Sequence, residues 1–227
     1  MHGFLNTLEV VRVMNKKRAI PWWGWFSWIL VMVLGIIAYF HLPAQVPSHV
    51  NSAGKPTLFV SKWLAVMYEP LIILVIMLLW QVLWRIDPKK RNYESFWSTY
   101  RYIGGVIVVC VGLIYLAVLG HLLYLWPIQR LAMTAYGVMF MLIANVLPRL
   151  QSNWWIGIRT PWTLSSEESW TRTHRFGGQL GIPIAILIIL LAWLMPTSKL
   201  MVLSAVGPVV LWAIITVVAS YFFAKKA

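Results

Sequence analysis

Six long apolar runs decide what this chain can fold into. A helix rises about 1.5 Å per residue, so crossing the roughly 30 Å hydrocarbon core of a bilayer takes about 20 apolar residues. Segments 22–42, 63–84, 103–126, 128–148, 179–195 and 200–223 meet or approach that length. The fifth is the shortest and contains Pro183. Tryptophans stand at many of the ends (Trp22, Trp23, Trp63, Trp84 and Trp126), where an amphipathic ring sits at headgroup level. No run alternates with the period of two that a membrane β-strand needs. The expected fold class is all-α: a polytopic integral membrane protein with six transmembrane helices.

Composition agrees. Hydrophobic residues make up 60% of the chain and charged ones 11%, against about 25% charged in soluble domains. Too few polar groups are present to cover a water-facing surface. The net charge of +13 raises the question of phosphate-backbone binding. However, the basic residues lie in short clusters between apolar runs, so no direct nucleic-acid binding is expected. The clusters instead report orientation. The N-terminal arm, the second and fourth connections and the tail hold 15 Lys and Arg, from Arg12 to Lys226, while Lys55, Lys62, Arg130 and Lys199 make 4 on the other side. The positive-inside rule then places both termini in the cytoplasm. The basic approach to the first run fits a signal peptide, but the run exceeds the usual 7–15 apolar residues and no small-x-small site follows, so it reads as a retained helix. The single cysteine, Cys110, lies within a run and reads as a packing residue, with no disulfide or cysteine-based metal site.

Two connections are long enough to do more than turn: an outer one, 43–62, and an inner one, 149–178. The links at 126–128 and 196–199 are tight turns that make their flanking helices antiparallel neighbours. In the inner connection Ser165 and Glu168 have the spacing of a capping box, and Glu168 and Arg172 that of a helical ion pair. Trp170 and His174 share a helix face, and Gly177 and Gly178 are expected to release the chain into the fifth run. Arg159, beside Thr160 and Pro161 and between Trp155 and Trp162, can bind lipid phosphate, stack on an indole, or hold a carboxylate such as Glu167 or Glu168. Two readings stay open here: an amphipathic helix lying on the inner leaflet without a ligand, or a docking surface.

On the outer side Glu69 is the one acidic residue well inside a run. It lies six residues past Trp63, about 9 Å in at 1.5 Å per residue, and His121 sits at a similar depth before Trp126. His41 ends the first run and His49 lies in the outer connection, so three imidazoles and a carboxylate can meet at one mouth. Pro70 withdraws the helical partner of the Val66 carbonyl, which would make that mouth more polar. An ionisable residue in a span is a functional-site hypothesis by default. A hydrogen-bonded structural glutamate and a zinc ligand are the alternatives, although no two ligands share a helical metal-site spacing.

An intramembrane enzyme needs paired carboxylates, a metal motif, or a nucleophile with its base. Glu69 stands alone, there is no His-Glu-x-x-His, and Ser27, Ser204 and Ser220 have no base nearby in sequence. Neither enzymatic activity nor a metal or cofactor is expected. A small-solute or ion transporter or channel would carry mid-membrane polar groups and broken helices. Gly207-Pro208 is expected to break the sixth run, though no charge accompanies it, and transport is the alternative function.

Asn153, Gly157, Arg159, Thr160, Pro161, Trp162, Leu164, Trp170, His174 and Gly178 stand at positions that resemble the signature of the SdpI-type immunity proteins. Leu42, Pro43, Pro47, His49, Asn51, Gly54, Ser61 and Lys62 resemble the uncharacterised domain that often precedes that signature, with Thr57 or a neighbour where an acidic residue is common. The resemblance implies a two-helix N-terminal region, 1–102, and a four-helix SdpI-like region, 103–227. It implies residence in the bacterial cytoplasmic membrane and protection against a secreted membrane-active peptide toxin. In the family's best-known setting it also implies toxin sensing and recruitment of a cytoplasmic transcriptional repressor. The partners so implied are the lipid bilayer, a peptide toxin and that repressor. The candidate toxin- or ligand-facing residues are His41, His49, Asn51, Glu69 and His121. The candidate inner set is Asn153, Gly157, Arg159, Thr160, Pro161, Trp162, Glu168, Trp170 and His174.

Overall fold

The structure, a computed structural model, describes residues 18–50 and 56–225. Six helices are long and apolar enough to cross a membrane: α1 (Trp22–His41), α2 (Lys62–Leu83), α3 (Tyr93–Tyr124), α4 (Ile128–Val146), α6 (Glu167–Leu194) and α7 (Ser198–Lys225). The short helix α5 (Pro161–Ser165) precedes α6, and an antiparallel hairpin of β1 (Gln45–Val50) and β2 (Pro56–Ser61) joins α1 to α2. The outer connection is thus folded where only a loop was expected. The helices turn apolar side chains outward: Phe26, Ile29, Ile36 and Phe40 of α1 are all exposed. Such a surface needs an apolar solvent. Inward, α1 presents Val31 together with Gly24, Gly35 and Ala38, the last three being small residues that let helices approach closely in lipid. The chain is a multi-pass membrane protein.

α1 packs on α2 and α3, α3 continues to α4, α4 packs on α6, and α6 on α7. The tight turns at 126–128 and 196–199 make α3 and α4, and α6 and α7, neighbours as expected. One end of the bundle, the hairpin face, carries β1, β2 and these two turns. The opposite end, the loop face, carries segments 84–92 and 147–166 and the end of α7.

Several boundaries differ from the sequence expectation, for traceable reasons. α3 begins at Tyr93, ten residues ahead of its apolar run, because Tyr93, Phe96, Trp97 and Tyr100 bury one side of the extension. Residues 102 and 103 lie within this helix. The expected short helix and short fifth span are one 28-residue helix, α6, running through Gly177, Gly178 and Pro183. Gly178 serves approach and not termination: a Cβ there would lie 2.7 Å from the Ala144 carbonyl oxygen. The cap of α6 is Ser166, which accepts from the Ser169 amide at 3.2 Å, so the Ser165–Glu168 box does not form. A capping box forms instead at Thr160 and Thr163 of α5.

Pro208 does not break α7, which is continuous through it, as α2 is through Pro70. With no water in the hydrocarbon to satisfy an opened backbone, the helix is kept. The Val66 carbonyl that Pro70 leaves without a helical donor accepts from the Tyr115 hydroxyl at 2.9 Å. It is therefore satisfied and adds no free acceptor to the mouth. Lower in the bundle α2 and α3 are fastened by a reciprocal pair. The Trp80 indole Nε1 donates to the Tyr100 carbonyl at 3.2 Å, and the Tyr100 hydroxyl donates to the Trp80 carbonyl. Their rings stack with centroids 4.9 Å apart and planes 14° off parallel.

Candidate functional site

At the hairpin face a cleft of about 430 Å³ opens between the hairpin, α2 and α3. Glu69, His121, Tyr115, Tyr68 and Ser48 supply its polar groups, and Val46, Val60, Leu64 and Leu122 are among its apolar walls. The shared depth of Glu69 and His121 thus becomes a shared site. His121 Nδ1 lies 2.8 Å from the Trp126 carbonyl oxygen, which can only accept. Nδ1 therefore carries the hydrogen and donates to that carbonyl.

The other outer candidates do not join them. His41 is exposed and bonds the Ile37 carbonyl within its own helix at 2.9 Å. His49 is exposed on β1, its carbonyl accepting from the Thr57 hydroxyl at 3.5 Å. Neither lines the cleft, and Asn51 lies outside the described residues. Among the described residues no group of three His, Cys, Asp or Glu is placed to hold a metal ion.

The loop face holds a denser construction. Asn153 is fully buried and organises its own turn. Its Oδ1 accepts from the amides of Trp155 at 2.9 Å and Ile156 at 2.7 Å, and its Nδ2 donates to the carbonyls of Gln151 and Ile156. Gly157 follows at φ +113°, a conformation that side chains resist. A Cβ there would also collide with His174 Nε2. That nitrogen accepts the Ile158 amide at 2.9 Å while Nδ1 faces the Trp170 carbonyl at 2.8 Å. His174 is thus a buried, neutral connector that stacks on Trp170 at 4.0 Å, as their shared helix face foretold. Trp170 in turn donates to the Leu150 carbonyl at 2.7 Å.

Thr160 caps α5 and meets the Ser220 hydroxyl of α7 at 3.0 Å. Pro161 opens α5, and Trp162 packs edge-on against Tyr221. Glu168 pairs with Arg172 at 2.5 Å as its spacing predicts. Arg159 makes no forked contact to Glu167 or Glu168. Its Nη1 donates to the Trp154 carbonyl at 2.5 Å from an exposed position, because Glu168 is taken by Arg172 and Glu167 lies 3.9 Å from Lys89.

The centre of this face escapes a reading of the sequence. Asp87 is 2% exposed and accepts three hydrogen bonds: from the Tyr93 hydroxyl at 2.8 Å, the Trp154 amide at 2.9 Å and the Lys89 amide at 2.7 Å. Lys89 Nζ reaches the Ser152 hydroxyl at 2.6 Å and the Leu164 carbonyl at 3.1 Å, and Asn92 donates to the Ser152 carbonyl at 2.7 Å. Segment 84–92 is thereby tied to segment 147–166. Asp87 is the only aspartate in the chain, set among Arg85, Lys89, Lys90 and Arg91 and followed by Pro88. An Asp-Pro beyond an apolar run marks a turn, and that was the available signal.

Comparison with known proteins matches part of each face. Residues 149–220 match the SdpI/YfhL protein family and residues 26–74 match a domain of unknown function, DUF1648. Immunity protein SdpI of Bacillus subtilis (strain 168) is 26% identical over 197 residues, covering 87% of this chain and 92% of that protein. No solved structure matches. The first segment spans the Asn153–His174 construction through to Ser220, and the second spans the hairpin and Glu69. The chain is a multi-pass bacterial membrane protein whose residues 149–220 resemble the SdpI/YfhL family, with a DUF1648-like segment ahead of them.

Proposed function

We propose that the protein is an immunity protein of the cytoplasmic membrane, which protects its cell by binding a secreted, membrane-active peptide toxin at the hairpin face. The observation that carries this reading is the likeness to immunity protein SdpI over 87% of the chain. The cleft supports it, being apolar-walled with one carboxylate and one imidazole, a surface suited to a peptide arriving within the outer leaflet. The charge imbalance of 15 to 4 between the two sides supports placing the hairpin face outside and the loop face in the cytoplasm. Binding without catalysis is then the mode of action. In the finer form of the proposal, toxin binding shifts the balance between two arrangements of the loop face, and one of them recruits a cytoplasmic repressor.

The test is survival of a deletion strain challenged with membrane-active peptides and complemented from a plasmid. Wild type should restore growth, Glu69→Ala should not, and Glu69→Gln should retain more protection than Glu69→Ala, all at equal membrane abundance. Deletion without any change in sensitivity would sink the immunity reading. In a Cys110→Ser background, Leu125→Cys should react with an impermeant thiol reagent on intact cells and Ser95→Cys should not. The reverse pattern overturns the orientation.

A further inference from the structure

We propose that the loop-face end of α3 and α4 is a binding site for the phosphate of an anionic lipid headgroup. Between these helices lies a cavity of about 360 Å³ lined by Ser98, Thr99, Tyr102, Asn145, Val146 and Arg149. Five of the six carry side-chain donors, one is a fixed cation, and no carboxylate is among them. Within the described residues none of those five side chains makes a hydrogen bond or ion pair with another part of the chain. Glu94, one turn before Ser98, is exposed and does not line the cavity.

The composition is that of a phosphate site: several neutral donors around one guanidinium, which matches phosphate oxygens in a forked geometry. A second observation points the same way. Among the described residues the Nε of Arg101, next to Tyr102 in the chain, is buried and has no hydrogen-bond partner, so a second guanidinium on this end of α3 has donor capacity to spare.

Depth selects the source of the phosphate. The apolar run of α3 begins at Ile103, one residue past Tyr102, and the helical run of α4 ends at Val146. The lining residues therefore straddle the level at which hydrocarbon gives way to headgroups, where basic pockets between helices hold anionic lipids. A phosphodiester with its acyl chains along α3 and α4 fits that position; this site is separate from the cleft and from the immunity reading.

Native mass spectrometry of the full chain in detergent, titrated with phosphatidylglycerol or phosphatidylcholine, tests it. One phosphatidylglycerol should be retained more tightly than phosphatidylcholine. Arg149→Gln should weaken phosphatidylglycerol on the order of tenfold, the scale of one charge-assisted contact, and narrow its advantage over phosphatidylcholine. Arg175→Gln, the same charge loss at an exposed position of α6, should leave both unchanged. Asn145→Leu, also at an exposed position, is a second variant that should weaken phosphatidylglycerol if Arg149→Gln melts early. Equal retention of the two lipids, equal effects of Arg149→Gln and Arg175→Gln, or no effect of Asn145→Leu would each overturn the proposal. Displacement of the lipid by dissolved glycerol phosphate or inorganic phosphate would assign the site to soluble phosphate and overturn the lipid as occupant.

Discussion

Replacing Asp87 should loosen the loop face while leaving the spans in place. Its Oδ2 accepts from the Tyr93 hydroxyl and the Trp154 amide, and its Oδ1 from the Lys89 amide. In Asp87→Asn the remaining oxygen keeps both bonds at the Oδ2 position and turns the amide nitrogen toward the Lys89 N–H. One bond to a charged acceptor is lost, about 1.5–3 kcal/mol. Asp87→Ala leaves the buried Trp154 amide without an acceptor, leaves the Tyr93 hydroxyl only a long 3.5 Å contact to Asn153 Oδ1, and loses the Lys89 contact as well. At about 1–2 kcal/mol for each of the three lost bonds, that amounts to roughly 3–6 kcal/mol. For a chain of this size each kcal/mol moves the melting midpoint by about 2–4 °C. Melting of the detergent-solubilised protein should therefore fall by about 3–12 °C for Asp87→Asn and by about twice that for Asp87→Ala. Hydrogen exchange at the Trp154 amide should accelerate in Asp87→Ala before exchange in α2 or α3 does. Wild-type melting of Asp87→Ala, or unchanged protection at Trp154, would refute the view that this carboxylate ties segments 84–92 and 147–166 together.

Tyr115→Phe should cost roughly 1–2 kcal/mol by stranding the Val66 carbonyl. In a Pro70→Ala background the restored amide should remove most of that penalty, and a double-mutant cycle on melting midpoints reads the coupling; additive effects would disprove it. Gly157→Ala should cost about 3 kcal/mol or more, since the methyl meets both an unfavourable φ and His174, and low membrane abundance is the readout. Arg159→Lys should melt like wild type because the side chain makes one exposed backbone contact. Arg159→Lys and Arg159→Ala should nevertheless both lose protection at normal abundance if this guanidinium docks a partner. Full protection by Arg159→Lys would retire a docking role.

The span ends were legible because run length and terminal tryptophans act locally, and α1 and α2 end within a residue or two of expectation. The start of α3 was not. Its extension alternates buried Tyr93, Phe96, Trp97 and Tyr100 with exposed Glu94, Ser95 and Ser98, so average hydropathy misses a helix that tertiary burial creates. Glu69 and His121 were brought together by depth alone, which helix rise supplies. His41 and His49 were included wrongly in that mouth because depth says nothing about direction around the bundle. Asp87 could not be matched to Trp154 across 67 positions from one sequence, since its partner is a backbone amide that any residue carries. Ser165 was chosen over Ser166 as a cap because both offer a hydroxyl, and only the Thr160–Thr163 turn upstream decides between them.

The Trp80–Tyr100 pair has a mechanical consequence. Both bonds run between the same two residues, so α2 cannot slide along α3 by a helical turn of about 5.4 Å without losing both, together with the stacking. What remains to α2 is rocking about that pin. Glu69 lies eleven residues above it, about 16 Å, and Leu83, the helix end, three residues below, about 5 Å, at 1.5 Å per residue. The lever ratio, eleven residues to three, is nearly four, so a displacement of about 4 Å at the cleft arrives at the far end of α2 as about 1 Å, reversed in direction. Hydrogen bonds of 2.7–2.9 Å such as those at Asp87 do not survive a stretch of that size. The pivot thus converts a large motion on one side of the membrane into a small one at the place where a small one is enough.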